Sequence, residues 1–283
     1  MRRDKIMTDR LLLCTDLDRT LIPNGAAPES PQARAYFRQF VAQPQVTLAY
    51  VTGRHLALID QAILDYQLPH PQFAIADVGS SIYTWQNSQW HRWQIWDEHL
   101  ATDWPKQGAI AIHHRLANHP ALQLQESAKQ SHYKLSYYVD LQADSQQLLI
   151  EIQALLEKHN FSTHLIWSVD EEKQIGLLDI LPSQANKYQA ISFLMATQKF
   201  SLTQTIFAGD SGNDEAVLSS PIPAVLVANA PQELRKKLQN AHDQASLYFA
   251  QGNCLGMNGN YSAGILEGIF YYFPEYQQWL NST

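Results

Sequence analysis

An α/β fold, with a parallel sheet interrupted by a separate α+β insert, is what this sequence predicts, and three observations predict it. Short strands that are apolar throughout alternate with helical stretches at both ends of the chain. That rhythm is lost between about residues 84 and 182, where strand, helix, strand and strand follow one another. The 283 residues are enough for one core domain and a smaller inserted one.

The elements read in order as follows. "LLLCT" is a buried strand, and the stretch from Gln32 to Val41 is helical. "VTLAYV" leads into the helix-like "HLALIDQAILDYQL", and "FAIADV" is the next strand. In the middle, "KLSYYVDL" reads as a strand. "DSQQLLIEIQALLEKHN" is an amphipathic helix with Leu148, Leu149, Ile152, Leu155 and Leu156 at helical spacing. Asp144 or Ser145 can cap its start, while Lys158 and His159 suit its end. "THLIWSV" and "GLLDIL" complete the insert. "TIFAGD" then precedes the short helix-like "NDEAVLSS", and "PAVLVA" precedes "PQELRKKLQNAH". These readings divide the chain into a core of residues 1–84 and 182–283 and an insert of residues 85–181. Residues on both sides of the insert build one domain, so the insert overhangs one edge of the sheet. Ligands of parallel sheets bind at the carboxyl ends of the strands, and an insert there can close as a lid.

Bulk composition narrows the function. Twenty Lys and Arg against 27 Asp and Glu leave a formal net charge of −7. That is the wrong balance for a protein that lives on nucleic-acid backbones, so a phosphate ligand would be small and locally held. Cys14 and Cys254 form neither a disulfide framework nor a zinc spacing. No 18-residue apolar run indicates a membrane span, and the start "MRRDKIMTDR" lacks an apolar signal core, so a cytoplasmic protein is expected. The Arg-rich start reads as a short lead-in, and Met7 serves equally as the first residue.

Four polar segments follow apolar runs: "TDLDRT", "VTGR", Lys187 in "PSQANKYQA", and "GDSGND". Each alone has a plain reading as a solvated turn or helix start. Together, in this order, they supply what phosphoryl transfer needs: a nucleophile, a proton donor and positive charge. Asp16 is the candidate nucleophile, able to form an aspartyl-phosphate. Asp18 is placed to protonate the leaving oxygen and then to activate water. Thr20 and Thr52 are candidate donors to phosphoryl oxygens, with Gly53, Arg54 and Asn213 in the same segments. Lys187 supplies a cation. Asp210 and Asp214 would hold a metal, and hard oxygen ligands beside phosphate favour Mg²⁺.

These segments resemble the haloacid dehalogenase-like phosphatases, and the insert falls where one subgroup carries an α+β cap. "TLAYVTGR", "VGSSIY", "YKLSYYVD", "LDILPSQANKYQA", "IFAGDSGNDEAVL", "VLVANAPQEL" and "SAGILEGIFYY" narrow the resemblance to the sucrose-phosphate phosphatase family, from about Leu11 to Phe273. The resemblance implies a Rossmann-like core with a substrate-selecting cap, and Mg²⁺-dependent hydrolysis of sucrose 6-phosphate. It implies Asp16 as nucleophile, Asp18 as acid and base, Thr52 and Lys187 as phosphate ligands, and Asp210 as metal ligand. Asp16, Asp18 through its backbone carbonyl, and Asp214 in support complete the implied metal set. Two positions depart from the family: Ser81 stands where an acidic residue is usual, and Tyr188 where Gly is usual. Both bear on the fit of the sugar, so mannosylfructose phosphate, trehalose phosphate or another glycosyl-sugar phosphate stays open beside sucrose 6-phosphate. A silent domain docking on a sugar-transferring synthase is the expectation from another class, but Asp16, Asp18, Lys187 and Asp210 are all present.

The remaining features are plainer. Trp85, Trp90, Trp93, Trp96 and Trp104 suit packing within the insert better than sugar stacking. Lys134, Ser136 and Tyr137 suit hydroxyl recognition, although alternation puts Tyr137 on the opposite face from the other two. His113 and His114 have no metal spacing.

Overall fold

The computed structural model describes residues 10–104, 108–170, 173–240 and 246–277, so the lead-in around Met7 lies outside the described residues. In chain order the strands are β1 (Leu11–Thr15), β2 (Val46–Val51), β3 (Phe73–Ala76), β4 (Ser81–Gln86), β5 (Gln89–Arg92), β6 (Gln123–Leu124), β7 (Leu135–Val139), β8 (Thr163–Asp170), β9 (Ile175–Pro182), β10 (Thr205–Gly209), β11 (Ala224–Leu226) and β12 (Leu247–Phe249). The α-helices are α1 (Ala33–Val41), α2 (Leu56–Asp65), α3 (Gln94–Leu100), α4 (Gly108–Leu116), α5 (Ser145–Lys158), α6 (Lys187–Gln198), α7 (Glu215–Leu218), α8 (Gln232–Gln239) and α9 (Ser262–Tyr272).

Two sheets carry these elements. The larger has the order β12-β11-β10-β1-β2-β3-β4-β5 and is parallel from β12 to β3. Its last two strands, β4 and β5, are antiparallel additions. The larger sheet therefore continues to Arg92, past the boundary that the lost rhythm placed near residue 84. The hairpin is too short and too mixed in composition to announce itself as core. The smaller sheet, β6-β7-β9-β8, is antiparallel throughout.

The unbroken apolar runs exist because the parallel strands are covered on both faces. Alternation sends Leu11 and Leu13 of β1 into one core layer, with Phe37, Phe40, Leu266 and Phe270 from α1 and α9. Leu12 and Cys14 go to the other, which runs without a break through α6 into the smaller sheet. Asp144 caps α5 as expected, its Oδ1 accepting the Gln147 N–H at 3.0 Å. The indoles are packing groups: Trp96 and Trp104 are fully buried, Trp93 meets Phe73 edge-on, and Trp85 stacks on His70.

β1 is the pivot of the sheet, since the chain proceeds from it to β2 on one side and β10 lies on the other. Thr15 pairs with Tyr50 of β2 and with Ala208 of β10, so these three strands end level with one another. The residues just beyond their carboxyl ends are crowded into the crevice where such sheets bind ligands. Asp16 and Thr52 immediately follow their strands, and Asp210 follows Gly209.

Candidate active site

Four stretches of chain meet at that crevice. Asp16 follows β1, and its Oδ1 accepts a hydrogen bond from Lys187 Nζ at 3.0 Å. The same ammonium donates to Asp214 Oδ1 at 2.6 Å. Lys187 is fully buried as the first residue of α6, aimed by the preceding Asn186, whose side chain accepts the Gln189 N–H. Burial alone would neutralise this lysine, but Asp16 and Asp214 outweigh it and keep the ammonium charged. Burial, with Asp214 and Asp210 close by, pushes Asp16 upward against the pull of Lys187.

Asp214 is spoken for at both oxygens. Its Oδ2 accepts from the Asp210 and Ser211 N–H groups, each at 3.0 Å. This closeness requires Gly209, because a Cβ there would stand 2.7 Å from the Asp214 Cγ. Asp214 therefore shapes the loop and holds Lys187. Asp210 differs: Oδ1 accepts from Thr20 Oγ1 at 3.1 Å, while Oδ2 is buried with no hydrogen-bond partner. Burial, and then the charge of Asp214, push the Asp210 carboxyl up to about 7. Carboxylate oxygens of Asp16, Asp210 and Asp214 lie within 4.8 Å of one another. A buried carboxylate oxygen without a donor beside two more carboxylates fits a hard divalent cation, which supplies the missing positive charge.

Asp18 points elsewhere. Arg54 Nε and Nη2 donate to its two oxygens at 2.8 and 2.6 Å, and Asn24 Nδ2 adds a third bond at 2.7 Å. Burial would raise its carboxyl, but Arg54 and Asn24 together hold it below the ordinary range. Its side chain is thus a forked partner of Arg54 and stands outside the carboxylate cluster, which leaves only its backbone carbonyl for the implied metal set. Thr20 is corrected: it is fully buried with its hydroxyl spent on Asp210, a positioning contact.

A cavity of about 280 Å³ opens over these groups, lined by Asp16, Asp18, Thr52, Gly53, Arg54 and Asn213 on the core side. Asp179 of β9 faces it from the smaller sheet, and Gln125, Lys129 and Lys134 from the chain between β6 and β7. Lys134 is buried, with Nζ 3.7 Å from Asp77 and 3.8 Å from Asp179, ion-pair distances too long for hydrogen bonds. Tyr137 does not reach the cavity. It lies on the opposite face of β7, where its hydroxyl meets His113 Nδ1 at 3.1 Å, because successive strand residues point to opposite sides. A larger cleft of about 440 Å³ near Leu202, Pro221 and Tyr272 has no carboxylate, imidazole or basic group in its lining.

The turn between β3 and β4 is strained. Asp77, Val78 and Gly79 have φ of 51°, 61° and 104°, and a β-branched residue in the left-handed region is uncommon. The strain is held by the "TGR" loop, since the Asp77 and Val78 N–H groups donate to Arg54 O and Thr52 O, each at 3.0 Å. Sequence reasoning missed Asp77, Asp179, Gln125 and Lys129. Asp179 carried a signal, a lone carboxylate inside the apolar "GLLDIL"; the backbone strain at Val78 carried none.

The chain is similar to proteins of one family. The family model described as sucrose-6F-phosphate phosphohydrolase matches residues 9–273. A HAD-like hydrolase of Nitrosococcus oceani is 47% identical over 280 residues, covering 98% of this chain and 75% of that protein. A mannosylfructose-phosphate phosphatase of Agrobacterium fabrum is 28% identical, covering 79% of this chain and 85% of that one. The crystal structure of the sucrose-phosphatase of Synechocystis, in complex with sucrose and phosphate, superposes with a TM-score of 0.75 at 26% identity, covering 93% of this chain and 98% of that chain. Against two plant relatives the chain spans 59% and 58% of their length. The chain belongs to the sucrose-6F-phosphate phosphohydrolase family, has its haloacid dehalogenase-like α/β fold, and is a phosphoric monoester hydrolase acting on sugar phosphates. Among the described residues no helix is long and apolar enough to cross a membrane.

Proposed function

We propose that the chain hydrolyses a disaccharide phosphate, sucrose 6-phosphate first among them, through an aspartyl-phosphate on Asp16. The observation that carries this reading is the contact of Lys187 with Asp16 beside the orphaned oxygen of Asp210. In the proposed reaction an Asp16 oxygen attacks phosphorus, the bond from phosphorus to the sugar oxygen breaks, and Asp18 delivers a proton to the departing alkoxide. Asp18 then takes a proton from the water that attacks the aspartyl-phosphate, freeing phosphate and restoring Asp16. Held ionised by Arg54, Asp18 is ready for the second half; for the first it carries a proton in place of one Arg54 bond. Lys187 offsets the charge that gathers on the phosphoryl oxygens, and Thr52 borders the same space. Asp16 and Asp210 would hold Mg²⁺, with Asp214 in support and the backbone carbonyl of Asp18 added by the family likeness; bound there, the ion would neutralise phosphate and lower the mutual repulsion of the carboxylates.

Residues 1–92 and 182–283 serve in this proposal as the catalytic core, the β4–β5 hairpin having moved the first boundary on from residue 84, and residues 93–181 as the cap. Lys134, Gln125 and Asp179 are proposed to meet sugar hydroxyls, since the Lys134 ammonium has no hydrogen bond of its own. A cytoplasmic location and a sugar-transferring synthase as partner belong to the same proposal. A second reading, a different glycosyl-sugar phosphate, is favoured by Ser81 and Tyr188 and by similar identities to the mannosylfructose-phosphate phosphatase and the sucrose-phosphatase, 28% and 26%. Phosphate release from sucrose 6-phosphate, mannosylfructose phosphate, trehalose 6-phosphate and simple hexose phosphates tests both. A clear preference for sucrose 6-phosphate supports the first reading. Equal rates on all four remove the sucrose assignment and leave the phosphatase.

A further inference from the structure

We infer that Arg19 is a built-in counter-cation for Asp210, which a divalent ion displaces towards the substrate cavity, so that ion loading and capture of the phosphate ester are coupled. This rests on the reading of Asp210 as an ion ligand. Three observations carry it. Arg19 Nε stands 3.5 Å from Asp210 Oδ2, the same oxygen that has no hydrogen bond. The guanidinium thus answers the buried charge without completing a bond to it. Its side chain is 53% exposed against 1% for Asp210, so the arginine gives up the contact at small cost while the aspartate cannot stay unpaired.

The rest of Arg19 is fixed. Its backbone is held at φ 57°, with its N–H donating to Asn24 Oδ1 at 2.8 Å and its carbonyl accepting from Asn229 Nδ2 at 2.6 Å. Its stem runs over Gly25, where an added Cβ would lie 3.3 Å from the Arg19 Cγ and 3.6 Å from its Cδ. The head alone is left free to choose partners. A divalent ion on Asp210 satisfies the orphaned oxygen and repels the guanidinium. Arg19 already lines the cavity with Asp18 and Thr52, so the released head faces the space where the ester would sit. A guanidinium there grips phosphate oxygens in a bidentate fork. Coupling of this kind is reciprocal: the ion favours the ester, and the ester, by drawing Arg19 away, favours the ion.

Calorimetric titration of Mg²⁺ into substrate-free protein tests this, with thermal melting as the control for folding. Arg19→Gln removes the competitor, and it is expected to bind Mg²⁺ about 3–10-fold more tightly than the wild type. Arg19→Lys keeps a cation and is expected to stay within about twofold of the wild type. With Mg²⁺ saturating, Arg19→Gln is expected to raise the KM for the phosphate ester about tenfold. Arg19→Asn, which tolerates the left-handed backbone, replaces Arg19→Gln if the latter fails to melt cooperatively, with the same expected shifts. Mg²⁺ binding no tighter in the neutral variant than in the wild type overturns the inference. A wild type that binds no Mg²⁺ at all overturns the ion-ligand reading beneath it instead.

Discussion

The Lys187 ammonium stands 3.0 Å from the Asp16 carboxylate, although 171 residues separate the two in the chain. One residue closes the central strand of the larger sheet, and the other opens the helix that follows the smaller sheet. Asp214 makes the pair a triad, so one buried ammonium answers two buried carboxylates. Buried ion pairs give little net stability when intact, but losing one partner leaves charge stranded.

Lys187→Met should therefore leave Asp16 and Asp214 facing each other without a cation. We expect a loss of about 3–5 kcal/mol of stability in Mg²⁺-free urea unfolding, partly recovered on adding Mg²⁺, and a fall in turnover of at least about 10²-fold. A variant as stable as the wild type without Mg²⁺ would show that the lysine is not the counter-charge.

Gly79 packs the turn between β3 and β4 against the start of α6. At φ 104° it occupies a conformation that side chains resist, and a Cβ would lie 2.5 Å from the backbone C and O of Asn186. Gly79→Ala should push Asn186 and Lys187 away from Asp16. The expected outcome is a destabilisation of about 1–3 kcal/mol with a loss of kcat larger than the change in KM. Unchanged kinetics would mean that the strained turn does not position Lys187.

Asp77 makes stability depend on pH in a definite direction. Burial raises its carboxyl above the ordinary value, against the pull of Lys134. The folded state thus holds this proton more tightly than the unfolded chain does. Its contribution is fully present below the unfolded carboxylate pKa of about 3.9 and is lost as pH rises through the folded value. Asp77→Asn cannot titrate. The stability of the wild type relative to this variant should fall as pH rises above about 4 in Mg²⁺-free urea unfolding. A difference that grows over that range contradicts the assignment.

Much of the core was legible because parallel strands buried on both faces must be apolar throughout, as "LLLCT", "VTLAYV" and "TIFAGD" are. The polar residues that break those runs, Asp16, Thr52 and Asp210, stand out for the same reason. Lys187 was legible only in company, since a lysine opening a helix is ordinary until its burial is known. The hairpin of β4 and β5 and the helix α9 were not read from the residues, because the first is short and mixed and the second is buried on nearly every side and shows no amphipathic stripe. The Arg54 fork on Asp18, the spent hydroxyl of Thr20 and the turned-away Tyr137 depend on side-chain direction, which spacing does not determine.

Asp16 is the group proposed to accept the phosphoryl group. Mass spectrometry of protein mixed with Mg²⁺ and sucrose 6-phosphate and quenched in acid within a turnover tests it most directly. A phosphoryl adduct is expected on the peptide carrying Asp16 and is expected to be absent from Asp16→Asn, which should also have lost turnover. Rapid turnover with that peptide unmodified, or an Asp16→Asn variant that still releases phosphate at the wild-type rate, would contradict it.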